Sequence, residues 1–125
     1  YWAESPSGTR LVEIPFHWEL DDFVYWGYQP PAEVRHAMVP SDGVLATWRD
    51  AFDQLYEWGS AFNLAAHPQI IGRPSRFSVL ERLIEHMLAK PNVRFARMDE
   101  AADEWAVANA NAPAQLVGAG PPPED

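Results

Sequence analysis

Residues 64–76 read LAAHPQIIGRPSR. An apolar run stops at His67, Pro68 cannot continue a central strand, and Gly72-Arg73-Pro74-Ser75-Arg76 carries turn chemistry into an amphipathic stretch. This is the pattern of a strand end, a short loop and a helix start. An ionisable side chain just beyond the C-terminal end of a strand stands where α/β folds gather their reactive groups.

Downstream, Ser75 is a candidate cap for a helix in which Leu80, Leu83, Ile84, Met87 and Leu88 form one stripe, with Glu81, Arg82, Glu85 and His86 facing outward. Pro91-Asn92 ends it. Val93 to Met98 alternates apolar and basic residues as a strand does, and Asp99 is placed to cap a last helix through Trp105 to Ala108. Upstream, Ala61 to Ala66 reads as a strand. It follows a helix that opens at Ser41-Asp42-Gly43, repeats Val44, Leu45, Trp48, Phe52, Leu55 and Tyr56 at helical spacing, and stops at Gly59. Leu11 to Phe16 reads as a further strand after the turn residues 5–10, and residues 21–40 as a long aromatic loop.

The order β–loop–α–β–α–β–α implies an α/β fold of parallel strands with crossover helices over residues 1–108. Three such strands make part of a barrel or an edge of an open sheet, and leave an apolar wall that something must cover. Residues 109–125 read as a Pro- and Ala-rich flexible tail.

Nine basic residues against eighteen acidic ones give a net charge of −9, which repels nucleic-acid backbones and anionic membranes. With no cysteine, any metal would need His, Asp or Glu ligands. No apolar run approaches the roughly 20 residues that span a bilayer, and residues 1–10 lack signal-peptide patterning, so the expectation is a cytoplasmic protein without membrane or nucleic-acid partners.

From position alone, His67 is either an acid/base group or a loop histidine bonded to a backbone carbonyl. Asp21-Asp22 either holds an imidazole in one tautomer and stabilises its protonated form, or is a solvated pair. Arg73 and Arg76 frame a helix N-terminus suited to an anion or carboxylate, or pair locally. Trp18 and the aromatics of 23–28, Trp26 among them, either stack on a sugar or flat ring or pack their own loop. His17 could face the same mouth; His36 and His86 read as loop and solvent-face residues. No His-x-x-x-His spacing of a metal-binding helix occurs.

LVEIPFHWELDDFVYW at 11–26, FNLAAHPQIIGRPSRFSVLERLIEHM at 62–87 and VRFARMDEAADEW at 93–105 together resemble the C-terminal portion of the polysaccharide deacetylase family. The similarity is greatest to the branch of peptidoglycan deacetylase-like, allantoinase-like and cyclic imidase enzymes. It implies the C-terminal part of a distorted (β/α) barrel that hydrolyses non-peptide C–N bonds with a divalent metal, usually zinc. Leu64-Ala65-Ala66-His67 matches the family's Leu-x-x-His motif, which implies His67 as general acid. Leu20-Asp21-Asp22 stands in the place of the acidic motif, which implies one aspartate, Asp22 in preference to Asp21, as the support of His67. Trp18, Trp26 and Arg73 are candidate substrate contacts.

The family's base aspartate, metal aspartate and His-x-x-x-His pair have no counterpart in the sequence. The resemblance therefore implies no metal ligand in this chain, a metal held mainly by an N-terminal half, that half as partner in an oligomeric assembly, and a glycan or small-molecule amide as substrate. The alternative is a catalytically inactive interaction or carbohydrate-binding module.

Overall fold

Helical periodicity becomes helices in the computed structural model, which describes residues 1–27 and 39–116. In chain order the elements are β1 (Trp2–Glu4), β2 (Arg10–Val12), α1 (Asp22–Trp26), α2 (Ser41–Glu57), α3 (Pro68–Ile71), α4 (Pro74–Leu88), α5 (Met98–Ala108) and β3 (Ala114–Leu116), with a 3-10 turn at Trp18–Leu20 before α1. The expectations for Tyr28, His36 and residues 117–125 lie outside the described residues. No helix among the described residues is long and apolar enough to cross a membrane.

Residues 16–93 form one compact unit. The apolar faces of α2 and α4 are packed together and close over the 3-10 turn and α3, with Leu20, Val44, Trp48, Val79 and Leu83 at 2 % exposure or less. Trp48 is the centre of an aromatic cluster, its ring edge-on to Tyr25 and Trp26 at 6.1 and 6.0 Å. Its indole N–H donates to the Glu19 carbonyl at 2.7 Å, so the polar edge of a fully buried ring is satisfied and the 3-10 turn is anchored to α2. Leu88, placed by periodicity on the buried stripe, is 64 % exposed beyond the last turn of contact. His86 does not face solvent freely. Its Nε2 lies 3.0 Å from Asp53 of α2, which Lys90 also reaches at 2.9 Å. Burial pushes the Asp53 carboxyl up, but the hydrogen bonds and charges of Lys90 and His86 outweigh it and hold the group below its usual range.

The helix starts differ from the capping residues that composition singles out. α4 begins at Pro74 with Arg73 as N-cap, because proline's fixed φ and missing N–H suit the first helical position, and Ser75 falls inside the turn. α5 begins at Met98, so Asp99 lies in its first turn, where it accepts from the Glu100 N–H at 3.0 Å while Glu100 accepts from the Arg97 N–H at 3.1 Å.

Residues 1–15 and the segment from Arg94 onward form the second unit. Its sheet has the order β2-β1-β3, with β1 antiparallel to β2 and parallel to β3. Gly8, at φ 84°, supplies the left-handed residue that the turn between β1 and β2 requires. Trp2 meets Trp105 of α5 edge-on at 5.8 Å and donates its indole N–H to the Asn109 carbonyl at 2.8 Å. Residues 114–116, assigned by composition to the flexible tail, thus belong to a strand pair.

The expectation of three parallel strands with crossover helices is corrected. The run 11–16 contributes only its first residues, to β2; residues 61–66 and 93–98 run without a ladder among the described residues. A strand is defined by its partner, and alternation reports only which side chains face inward. What remains of the parallel pairing is one bridge between Asp21 and Ala65, made by Ala65 N–H to Leu20 O at 2.8 Å and Asp22 N–H to Ala65 O at 3.2 Å. The fold is mixed α/β with a small sheet.

Trp48→Ala removes a fully buried ring and one of the two donors to the Glu19 carbonyl, the other being the Tyr25 hydroxyl at 2.9 Å, so it is expected to destabilise the chain by about 3–5 kcal/mol in chemical denaturation. Trp48→Phe, which keeps most of the ring, is expected to cost distinctly less.

Candidate functional site

The parallel bridge sets the site. By joining residues 20–22 to Ala65, it brings the start of α1 against the residue that precedes α3. Asp21 is the N-cap of α1 and accepts the Phe23 N–H at 2.8 Å. His67 is the N-cap of α3, with Pro68 at the first helical position.

Asp22, 0 % exposed, spends both oxygens on His67: Oδ2 accepts the backbone N–H at 2.9 Å, and Oδ1 lies 2.6 Å from ring Nδ1. Asp21 Oδ1 stands 3.7 Å from the same nitrogen. The His67 side chain is 38 % exposed, and Phe23 covers part of it at 5.7 Å between ring centroids. With Nδ1 bound to a carboxylate that only accepts, Nδ1 carries a proton, and Nε2 across the ring is the atom at which a second proton is gained or lost. The hydrogen bond that Nδ1–H donates to Asp22 raises the His67 pKa above its ordinary value. Partial desolvation opposes this, and the charges of Asp22 and Asp21 add to the rise.

Asp21, Asp22 and His67 place donor atoms within 4.8 Å of one another, so their fit to a metal can be tested. Two ligands of a tetrahedral zinc, each about 2.0–2.2 Å from the ion, lie roughly 3.3 Å apart. Nδ1 and Oδ1 are at 2.6 Å, a hydrogen-bond distance, and the other near oxygens accept from the His67 and Phe23 amides. The cluster is built to hold a proton and does not fit a metal.

Beside it a cleft of about 410 Å³ is lined by Phe23, Trp26, Gln69, Ile70, Arg73 and Arg76. Gly72 is required here, since a Cβ would fall against the Pro68 carbonyl oxygen. Trp26 is 5 % exposed, packed on Trp48 and donating its indole N–H to the Val39 carbonyl at 2.9 Å, so it serves the core while lining the cleft. Trp18 is 76 % exposed and has Phe16 as its ring neighbour at 5.8 Å. The structure thus brings together His67, Asp21 and Asp22, and places Arg73 and Trp26 in the adjoining cleft. His17 is exposed. Phe23 and Gln69 were not singled out individually; Phe23 belongs to the aromatic run that sequence flagged, whereas nothing in the sequence marks Gln69.

No protein-family model matches the sequence. A Schizosaccharomyces pombe protein provisionally named a polysaccharide deacetylase is 30% identical over 118 residues, covering 84% of this chain and 35% of that protein. The peptidoglycan deacetylase of Helicobacter pylori is 30% identical over 99 residues, covering 78% of the chain and 34% of its own length. A Mycobacterium smegmatis crystal structure, also provisionally described as a polysaccharide deacetylase, superposes with a TM-score of 0.82 at 28% identity, over 96% of this chain and 41% of that one. The chain spans about a third of the length of these curated relatives.

His67 is expected to titrate above 6.5 when followed by NMR of its ring protons. A raised folded-state value means that its stabilisation is fully present below 6.5 and is lost as pH rises through the folded pKa. Asp22→Asn, which keeps an acceptor for the His67 amide but removes the charge, is expected to lower the midpoint and flatten that pH dependence. An unchanged midpoint would show that Asp22 does not set it.

Proposed function

The chain belongs to the polysaccharide deacetylase family, matching the C-terminal part of its relatives, and from that footing we propose that it contributes the proton-donating residues of a hydrolase of non-peptide C–N bonds. The observation that carries this reading is the pairing of a partly exposed imidazole with a fully buried carboxylate at 2.6 Å.

Cleaving an amide requires a proton on nitrogen, because the amine departs poorly as an anion. In this reading Asp22 orients the ring and favours imidazolium, and Nε2 gives its proton to the amide nitrogen as the C–N bond breaks. The oxygen that enters the carbonyl comes from water, whose proton restores the imidazolium. Water activation, and the divalent metal that supports it in this family, zinc in our proposal, fall to residues outside this chain. The partner is the remainder of the family's (β/α) barrel, and the chain alone is inactive. The substrate is a glycan or small-molecule amide.

A second reading, a carbohydrate-binding module, draws on the outward Trp18 beside Phe16. It calls for quenching of tryptophan fluorescence by chito-oligosaccharides that is lost in Trp18→Ala, and a flat titration rejects it.

Assembled with the rest of a family barrel and zinc, the chain is expected to deacetylate an N-acetylated sugar substrate. His67→Ala should lower turnover by about 10²–10⁴ while bound zinc stays constant. Full turnover in that variant would remove His67 from the mechanism. Asp22→Asn is expected to move the loss of activity at the basic side of the pH profile to lower pH.

A further inference from the structure

The charge balance of the chain makes its unpaired cations informative. With eighteen acidic residues against nine basic ones, carboxylates are abundant, and among the described residues Arg10, Arg82, Lys90, Arg94 and Arg97 each have one within ion-pair distance. Arg49 of α2 does not, and neither do Arg73 and Arg76. The latter two line the cleft beside His67, and among the described residues each donates to one backbone carbonyl: Arg73 Nε to Gln69 at 3.2 Å and an Arg76 terminal nitrogen to Ile70 at 3.3 Å. The Arg76 guanidinium is also held over the Trp26 ring at 5.4 Å from its centroid, which fixes its plane.

Each guanidinium therefore keeps N–H donors that no group among the described residues takes up. Among the described residues no acidic side chain lines the cleft, and Phe23, Trp26 and Ile70 give it apolar walls that strengthen any charge interaction within it. A planar guanidinium with parallel free N–H groups matches a carboxylate in two-point contact. The cleft also adjoins the proton donor. Phe23 lines it and touches the His67 ring, and Gln69 and Ile70 belong to the short helix that His67 caps.

We propose that this cleft seats a carboxylate carried by the substrate, with Arg73 and Arg76 as the recognition residues, so that the amides acted on are acidic ones. The inference deepens the proposed hydrolase reading and rests on it for the word substrate; the binding site itself does not need it. A carboxylate anchored there presents the neighbouring amide to His67 Nε2, and a neutral amide lacks that anchor.

The test uses the full 125-residue chain and reads the Arg Nε–H resonances by NMR. N-acetylglycine and acetamide share the acetamide group, and only the first bears a carboxylate. N-acetylglycine is expected to shift the Arg73 and Arg76 signals saturably, while acetamide at equal concentration leaves them in place. Arg73→Gln should weaken the response by about tenfold, the loss that accompanies one charge-assisted hydrogen bond. Arg73 is exposed and removed from the core, so this variant folds as the parent does. Arg76→Lys keeps a cation over Trp26 but loses the planar fork, and should weaken binding similarly.

Equal responses to the two ligands, no response to either, or undiminished binding in both variants would overturn the proposal. Binding of inorganic phosphate without binding of N-acetylglycine would also overturn it, since the site would then be a phosphate site. The two readings fail separately. Carboxylate binding together with full turnover in assembled His67→Ala refutes only the proton-donor role, and lost turnover without carboxylate preference refutes only the cleft assignment.

Discussion

A carboxylate at 0 % exposure organises residues 16–93. An isolated buried charge is so costly that Asp22 is tolerable only where donors meet it, and both of its donors come from His67, forty-five residues away. That requirement pins the end of the 61–66 segment to the start of α1, alongside the Asp21–Ala65 bridge. The positions of Pro68, α3 and the start of α4 follow, because each is only a few residues further on. The same contact that makes the local structure possible also orients the imidazole, so here stability and chemistry are one constraint.

Around that contact the apolar groups act as a clamp. Trp48 holds the 3-10 turn through Glu19 and meets Trp26 edge-on, and the Arg76 guanidinium lies over the Trp26 ring. The aromatic core is thus continuous with the wall of the cleft. His67 and the arginine pair are built on a packed support and need no long loop to position them, which is what holds side chains within small tolerances. The Asp53–His86–Lys90 group ties α2 to α4 well away from this chemistry.

The site was largely legible as a set of residue types. His67 after an apolar run, two adjacent aspartates after another, and two arginines at a proline-led helix start were each visible, because motif spacing is a local property. Which aspartate bonds the ring was not a matter of residue type: the preference for Asp22 came from the family resemblance alone, and Asp22 is the one at Nδ1. Asp21 and Asp22 are chemically identical, and only the turn into α1 makes one a helix cap 3.7 Å from Nδ1 and bonds the other to it at 2.6 Å. Arg73 and Arg76 could equally have paired with nearby carboxylates. That no carboxylate among the described residues reaches them is a fact of packing. Trp18 and Trp26 looked alike as stacking platforms, yet one is open and the other is core.

By itself the sequence determined the three long helices, the turn residues that stop them, the acidic surface and the residue types gathered around His67. Each depends on neighbours three or four positions apart or on composition. The tertiary structure alone decided the strands. The alternating segments 61–66 and 93–98 have the pattern of strands without their ladders, whereas Trp2–Glu4 and Ala114–Leu116, more than a hundred residues apart, pair in register. Backbone hydrogen bonds between distant segments carry no signature in either segment, since every residue offers the same N–H and C=O. Which ones meet is settled by the packing of the whole chain.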